Sequence, residues 1–307
     1  MNLLKDKVAV VIGASRGIGR GIAIGLGREG AQLVLAARTM EPGEKKELGP
    51  EGYKITGSLK ETAGEIEKMG GKADITQCDA LDYDQVQAMV DKTIGKYGRI
   101  DILVISLLPD CQVEGSLCEM PVSSWDDHMS VVPRAYYYAG RAVAPHMVKQ
   151  GSGLITAVSS PGGTFDFYSI PYCVARSAID RLAQALDHEL GAAGVAAVSL
   201  WPTTMRTDRV SSAHAGESQG YSIDSSIDLE IDGDAPELLG KAIAHLSADP
   251  EITKLSGRVQ VLNYLAKRYD LKDENGSAAA PVPHLDKLIA DTGSLAPSAY
   301  TVSEVML

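Results

Sequence analysis

Cysteine, cationic charge and long apolar runs are all scarce in this sequence, and each shortage removes a class of function. Four cysteines, Cys78, Cys111, Cys118 and Cys173, occur in 307 residues. They form no Cys-x-x-Cys pair and have no paired-histidine spacing beside them, so neither a zinc site nor a disulfide framework is indicated. The six histidines are scattered singly, and no metal site is expected. Lysine and arginine total 29 against 40 aspartates and glutamates, a formal net charge of −11. Nucleic-acid binding needs clustered cations that displace counterions, so nucleic acid is not an expected partner. The longest apolar stretch, Ile102 to Leu108, is interrupted by Ser106 and stopped by Pro109, far short of the roughly 20 residues that span a bilayer. Lys5, Asp6 and Lys7 interrupt the apolar start where a secretory signal would continue it. A cytoplasmic protein without a membrane segment is expected.

What the sequence does have is glycine, 31 residues of it, and a regular alternation of short apolar runs with amphipathic stretches of helical length. The runs Val8–Ile12, Leu33–Ala37, Ala73–Gln77, Ile102–Ile105, Leu154–Val158, Val195–Leu200 and Arg258–Leu262 predict seven strands. Between them, apolar spacings of three and four predict helices over Gly17–Arg28, Ser58–Met69, Asp84–Tyr97, Ser123–Lys149, Pro171–Leu190 and Pro236–Ser247. Such crossovers are right-handed and cover both faces of one sheet. The fold class is therefore α/β: a single doubly wound, Rossmann-type domain with a seven-stranded, mainly parallel sheet flanked by helices. Residues 1–272 are assigned to it. Met40–Gly57, rich in Gly and Pro, reads as a loop insertion, and Ser211–Gly233, rich in Ser, Asp and Gly, as a segment covering the carboxyl ends of the strands. The tail 273–307 is assigned no structure.

The first strand runs into Gly13-Ala14-Ser15-Arg16-Gly17-Ile18-Gly19 and then a helix. A turn this rich in Gly lets backbone amides approach a pyrophosphate, whose charge the helix N-terminus favours. The cofactor candidates in it are Gly13, Ser15, Arg16, Gly17, Ile18 and Gly19. The second strand ends Ala36-Ala37-Arg38, where an NAD enzyme would place an acid for the ribose 2′-hydroxyl. With no carboxylate there, and with Arg38 and Arg16 able to pair with a 2′-phosphate, NADP(H) is favoured over NAD(H).

Together with Ser159-Ser160 and Tyr172-x-x-x-Arg176, in that order, these motifs make residues 4 to 265 resemble the short-chain dehydrogenase/reductase family. Finer features, among them Ser160-Pro161-Gly162, His188-Glu189-Leu190, Ser199-Leu200-Trp201-Pro202 and Ala266-Lys267-Arg268-Tyr269, are similar to its dehydrogenase/reductase member 1 branch. The resemblance implies hydride transfer between a nicotinamide and a carbonyl or alcohol of a small, apolar, steroid-like substrate. It also implies a homodimer or homotetramer built on the helices Ser123–Lys149 and Pro171–Leu190. Tyr172 matches the family's proton donor and Ser160 the hydroxyl that polarises the carbonyl. Asp79, followed by Ala80, matches the adenine contact, while Pro202 and Thr207 match the nicotinamide loop.

Three departures stand beside these matches. The family's Lys is Arg176, which keeps the charge that stabilises a tyrosinate and can hold the ribose but cannot relay a proton. Its relay Asn falls at Val132, followed by Pro133, and its Asn-Asn-Ala-Gly turn is replaced by Ile105-Ser106-Leu107-Leu108. These losses leave open an alternative, a nucleotide-binding protein of the same fold with weakened chemistry. Tyr136-Tyr137-Tyr138 points in three directions on a helix and reads as core and interface packing.

Overall fold

The computed structural model of the chain describes residues 2–44, 47–48, 53–54, 56–111, 113–165, 168–202, 204–208, 210 and 233–280. Strands β1 (Val8–Ile12), β2 (Gln32–Ala37), β5 (Lys72–Gln77), β6 (Ile102–Ile105), β7 (Gly153–Val158), β8 (Val195–Trp201) and β9 (Val259–Val261) form one sheet in the order β5-β2-β1-β6-β7-β8-β9. Every pairing in it is parallel. Sequential strands therefore build outward from β1 in one direction and then from β6 in the other, which puts the topological switch point between β1 and β6. Ligands of such sheets bind at the carboxyl ends beside that switch.

Helices α1 (Gly17–Arg28), α2 (Leu59–Lys68), α3 (Tyr83–Tyr97), α4 (Ser123–Met129), α5 (Ala135–Gln150), α6 (Ile170–Leu190), α7 (Pro236–Ala248), α8 (Ile252–Leu255) and α9 (Leu262–Tyr269) complete the described fold. Strand residues alternate between the two faces with period two. On β1, Ala9 and Val11 enter one apolar core with α1, α2, α7 and α9, whereas Val10 and Ile12 enter the other with α3, α5 and α6. The local signals agree with this plan. Ser58 caps α2 by accepting from the Glu61 amide (3.2 Å) and donating to its carboxylate (2.8 Å), and Asp82 caps α3 through the amides of Asp84 and Gln85.

Three expectations need correction. The segment Met40–Gly57 is more than a loop, because Glu47–Leu48 (β3) pairs antiparallel with Tyr53–Lys54 (β4). The helix expected over Ser123–Lys149 is broken into α4 and α5 by a π turn, Ser130–Arg134, that contains Pro133. Proline has no N–H and its ring crowds the preceding carbonyls, so a widened turn accommodates it where an α turn would not. Residues 273–280, expected to carry no structure, turn back on the domain. Lys272 bridges Ala278, Arg28 pairs with Glu274, and the Ala280 amide donates to Asp234 at 2.9 Å. Of the covering segment Ser211–Gly233, residues 211–232 lie outside the described residues, as do residues 281–307 of the tail. No helix among the described residues is long and apolar enough to cross a membrane.

Three of the glycines, Gly21, Gly25 and Gly240, serve one helix contact. A Cβ on Gly25 would overlap the Glu237 carbonyl oxygen, and one on Gly240 would overlap that of Ile22, so α1 and α7 touch backbone to backbone. Alanine gains about 1 kcal/mol of helix propensity over glycine. Overlap with a fixed backbone costs more, typically about 1–3 kcal/mol for overpacking. Gly240→Ala is expected to lower stability despite that gain, measured as a fall in the thermal midpoint, whereas Gly64→Ala, whose Cβ meets nothing within 4 Å, is expected to raise it.

Candidate active site

Five of the loops at the carboxyl edge of the sheet carry the residues singled out in the sequence. At the end of β1, Gly13 has φ of +89° and a Cβ there would overlap the Ser106 carbonyl oxygen. Only glycine fits such a position, and the turn it makes delivers the chain into α1 at Gly17. No side chain caps α1. Its first amides are thus available to an anion. Leu107, which stands where the family has its Asn-rich turn, packs against the apolar core that includes Cys78, Ala80 and Ile105.

Arg16 and Arg38 come together at one corner of this turn. Burial, and after it the charge of Arg38, hold the Arg16 guanidinium below the usual arginine range. Arg16 also donates to the carbonyls of Thr56 (3.3 Å) and Gly57 (2.8 Å), which anchors the end of the Met40–Gly57 segment on the turn. Thr56 in turn donates its hydroxyl to Asp208 at 2.6 Å, next to Thr207. Asp110, Asp208 and Glu61 act on Arg16 in the opposite direction, so the corner holds charges of both signs. On the other side of β2, Asp79 accepts from the Leu81 amide at 3.0 Å, a bond that holds the turn after β5 in shape.

The second group of residues gathers where β7 faces α6. Ser160 follows β7 by two residues in extended backbone and caps the short helix Pro161–Gly163, its Oγ accepting from the Gly162 amide at 3.2 Å. Tyr172 lies in the first turn of α6, after Pro171, and donates its phenol proton to Ser160 Oγ at 2.9 Å. Gly162 lets the ring in, since a Cβ there would stand 2.8 Å from Tyr172 Cε1. Four residues on, Arg176 is buried, with its guanidinium carbon 4.8 Å from the centre of the Tyr172 ring and one N–H donated to the Val158 carbonyl at 2.9 Å. The charge faces the ring, a cation–π arrangement. Val132 is buried among apolar neighbours in the π turn, so the relay position is apolar in space as in sequence.

Three neighbours were not singled out in the sequence. His128 on α4 stands edge-on to Tyr172, ring centres 6.1 Å apart, with Nδ1 2.8 Å from the Ser124 carbonyl. Tyr168 is edge-on to the same ring at 5.0 Å and has φ of +65°, a strained conformation for a tyrosine. Asp180, one turn beyond Arg176, is buried against β8. A lone histidine, an aromatic in a loop and an acid in an amphipathic helix carry no spacing that separates them from ordinary residues. Only for Asp180 was there a signal, a charge on the apolar side of the α6 pattern. Of the three tyrosines, Tyr136 is fully buried, Tyr137 is exposed and Tyr138 meets Tyr83 edge-on at 5.5 Å.

A glycine-rich turn at the switch point and a hydroxyl–phenol–cation group after β7, at the same edge of a parallel sheet, are the marks of a redox-enzyme fold. Residues 7–218 match the family model described as short chain dehydrogenase. The chain belongs to that family. Over 300 residues, 95% of this chain and 91% of the relative, it is 34% identical to Dehydrogenase/reductase SDR family member 1 of Mus musculus, and it is 31% identical to the Homo sapiens protein of that name over the same shares. Among solved structures, a short chain dehydrogenase from Mycobacterium thermoresistibile superposes with a TM-score of 0.70 at 25% identity, covering 90% of this chain and 94% of that one. A 7α-hydroxysteroid dehydrogenase complexed with NADH and 7-oxo glycochenodeoxycholic acid shares the fold, with a TM-score of 0.66 at 22% identity. The protein is accordingly an oxidoreductase of this family. Gly13→Ala, which is both strained and overlapped, is expected to weaken nicotinamide-nucleotide binding at least about tenfold, a loss near 1.4 kcal/mol, read by fluorescence titration.

Proposed function

We propose that the protein is an NADP(H)-dependent reductase or dehydrogenase that moves hydride between the nicotinamide and a carbonyl or alcohol of a small, apolar, steroid-like substrate. The observation that carries this reading is the 2.9 Å bond between the Tyr172 phenol and Ser160 Oγ with the Arg176 charge over the ring. Support for the substrate class comes from a stretch of 186 residues, 60% of this chain and 65% of the relative, that is 32% identical to 7alpha-hydroxysteroid dehydrogenase of Clostridium sardiniense.

The residues present fit the cofactor. The amides of the turn Gly13, Ser15, Arg16, Gly17, Ile18 and Gly19 would hold its pyrophosphate, Arg16 and Arg38 its 2′-phosphate, and Asp79 and Ala80 its adenine. Tyr172 and Arg176 would hold the nicotinamide ribose, with Pro202 and Thr207 against the nicotinamide. The bound cofactor supplies or accepts the hydride. Tyr172 and Ser160 are close enough that one substrate oxygen can sit within hydrogen-bond reach of both. In reduction, Ser160 Oγ donates a hydrogen bond to that oxygen and Tyr172 Oη transfers its proton to it. Arg176 then stabilises the phenolate left behind by its charge, without itself giving up a proton. With Val132 apolar, the proton is not passed on through that residue. This favours a second reading, in which the same fold binds the nucleotide and turns over slowly.

In the same proposal residues 1–272 are one catalytic domain, 273–307 a tail, and the protein works in the cytoplasm as a homodimer or homotetramer. The exposed apolar side chains Tyr137 and Val148 on α5, with Ile170 and Val174 on α6, supply a surface for such self-association.

Tyr172→Phe keeps the ring and removes the proton, and is expected to lower NADPH-dependent reduction across a ketone panel by about 10²–10⁴-fold while leaving NADPH binding intact. Full rate in this variant would remove Tyr172 from the mechanism. Arg38→Asp is expected to reverse the cofactor preference, measured as the ratio of dissociation constants for NADPH and NADH. Arg176→Lys separates the two readings: a large gain in turnover marks a weakened site, a loss marks one rebuilt around arginine.

A further inference from the structure

Behind Ser160 and Arg176 lies a buried acid that the mechanism above does not use. Asp180 is 2% exposed. Its Oδ1 accepts from Ser199 Oγ at 2.5 Å and from Trp201 Nε1 at 3.2 Å, both on β8. Its Oδ2 has no hydrogen-bond partner among the described residues, and a Cβ on Gly163 would overlap that oxygen. The carboxyl therefore clamps α6, the helix of Tyr172 and Arg176, to the strand that runs out into Pro202 and Thr207. Four elements face it. From α6 comes the charge of Arg176, from α5 the buried Tyr136 phenol, from β8 Ser199 and Trp201, and from the end of β7 Ser159. Tyr136 Oη likewise has no partner among the described residues, and burial together with the Asp180 charge pushes its acidity down.

We propose that Asp180 is a positioning residue of this site, one that clamps α6 to β8 and, by exchanging a proton with water, sets the charge facing Arg176. Both forms keep the two β8 bonds, since each is accepted by Oδ1, but the ionised form buries a net charge at this depth and the neutral acid does not. Burial pushes the Asp180 carboxyl up to about 6, against the opposing pull of Ser199, Trp201, Ser159 and Arg176. A carboxyl raised on folding stabilises the protein fully below its unfolded value near 3.8 and loses that contribution as pH rises through about 6. When Asp180 is neutral, the charge of Arg176 over the Tyr172 ring is uncompensated; when it is ionised, part of that charge is balanced.

The inference rests on the reading of Ser160, Tyr172 and Arg176 as the reacting group, but its first test does not. The chain has two tryptophans, of which Trp125 is 45% exposed and Trp201 is buried on Asp180. In the Trp125→Phe protein without cofactor, the remaining emission is expected to shift with a midpoint near pH 6, and the shift is expected to vanish when Asp180→Asn is added. Asparagine keeps the shape and an acceptor oxygen, so folding is checked by the thermal midpoint. That midpoint is expected to fall between pH 4 and 7 in the Trp125→Phe protein relative to the double variant. No shift, or a shift retained in the double variant, overturns the proposal. The second test is the pH profile of NADPH-dependent turnover, expected to show a step near pH 6 that Asp180→Asn removes. A fluorescence shift with a flat profile overturns the link to the site. Absence of turnover on every substrate defeats the proposed reaction instead, and the pH dependence of NADPH affinity then supplies the same comparison, a flat affinity overturning the link.

Discussion

Because every pairing in the main sheet is parallel, all seven strands end on one edge, and the chain must leave that edge seven times. Everything at the candidate site follows from this. The turn after β1, Arg38 after β2, Asp79 after β5, Ser160 after β7 and Pro202 after β8 are far apart in sequence and meet because the strands before them lie side by side. The two apolar cores hold the strands in register from either face, and of the site residues Ala80 and Ile18 join them while the polar and charged ones do not. The fold can then carry at its edge groups that packing would not choose: a left-handed glycine, two facing arginines, a strained tyrosine and a buried arginine.

That division explains what was legible in the sequence. Strand and helix positions could be read because burial on two faces writes near-continuous apolar runs, and on one face writes spacings of three and four. Ser160, Tyr172 and the glycines of the turn could be read because each sits at a fixed offset from a strand or from another. The approach of Arg38 to Arg16 was readable only as two cations near one loop. That His128 and Tyr168 flank Tyr172 could not be read at all, since α4 and the loop before α6 meet that ring only in the folded protein; Asp180 stands one helical turn after Arg176 in the sequence, but its docking on β8 could not be read. Pro133 looked like an error within a helix, and its meaning appears only with the π turn that contains it.

The energetics of the two halves of the site differ in kind. The half around the glycine-rich turn is half-exposed and built from backbone amides and arginines, whose attraction for any anion would be screened by salt over about 10 Å. The half around Tyr172 is buried, and there the Arg176 charge has few competing dipoles. Its partners are a carbonyl, an aromatic face and, one turn away, a carboxyl. Charge in the first half recruits a ligand, while charge in the second adjusts the proton affinity of whatever the ligand meets.

The π turn at Ser130–Arg134 has a consequence beyond accommodating proline. Each residue of a helix advances by roughly 100°, so a turn wider by one residue offsets the phase of everything after it by that angle. With that offset Tyr136 takes the place that residue 135 would hold in an unbroken α-helix, and it lies in the core toward Asp180. Removing one residue from the π turn would let it close to an α turn with the phase of α5 kept, so Tyr136 would stay buried and Tyr137 exposed. The extra residue is thus absorbed within a single turn, and the packing of α5 beneath the candidate site is insulated from it.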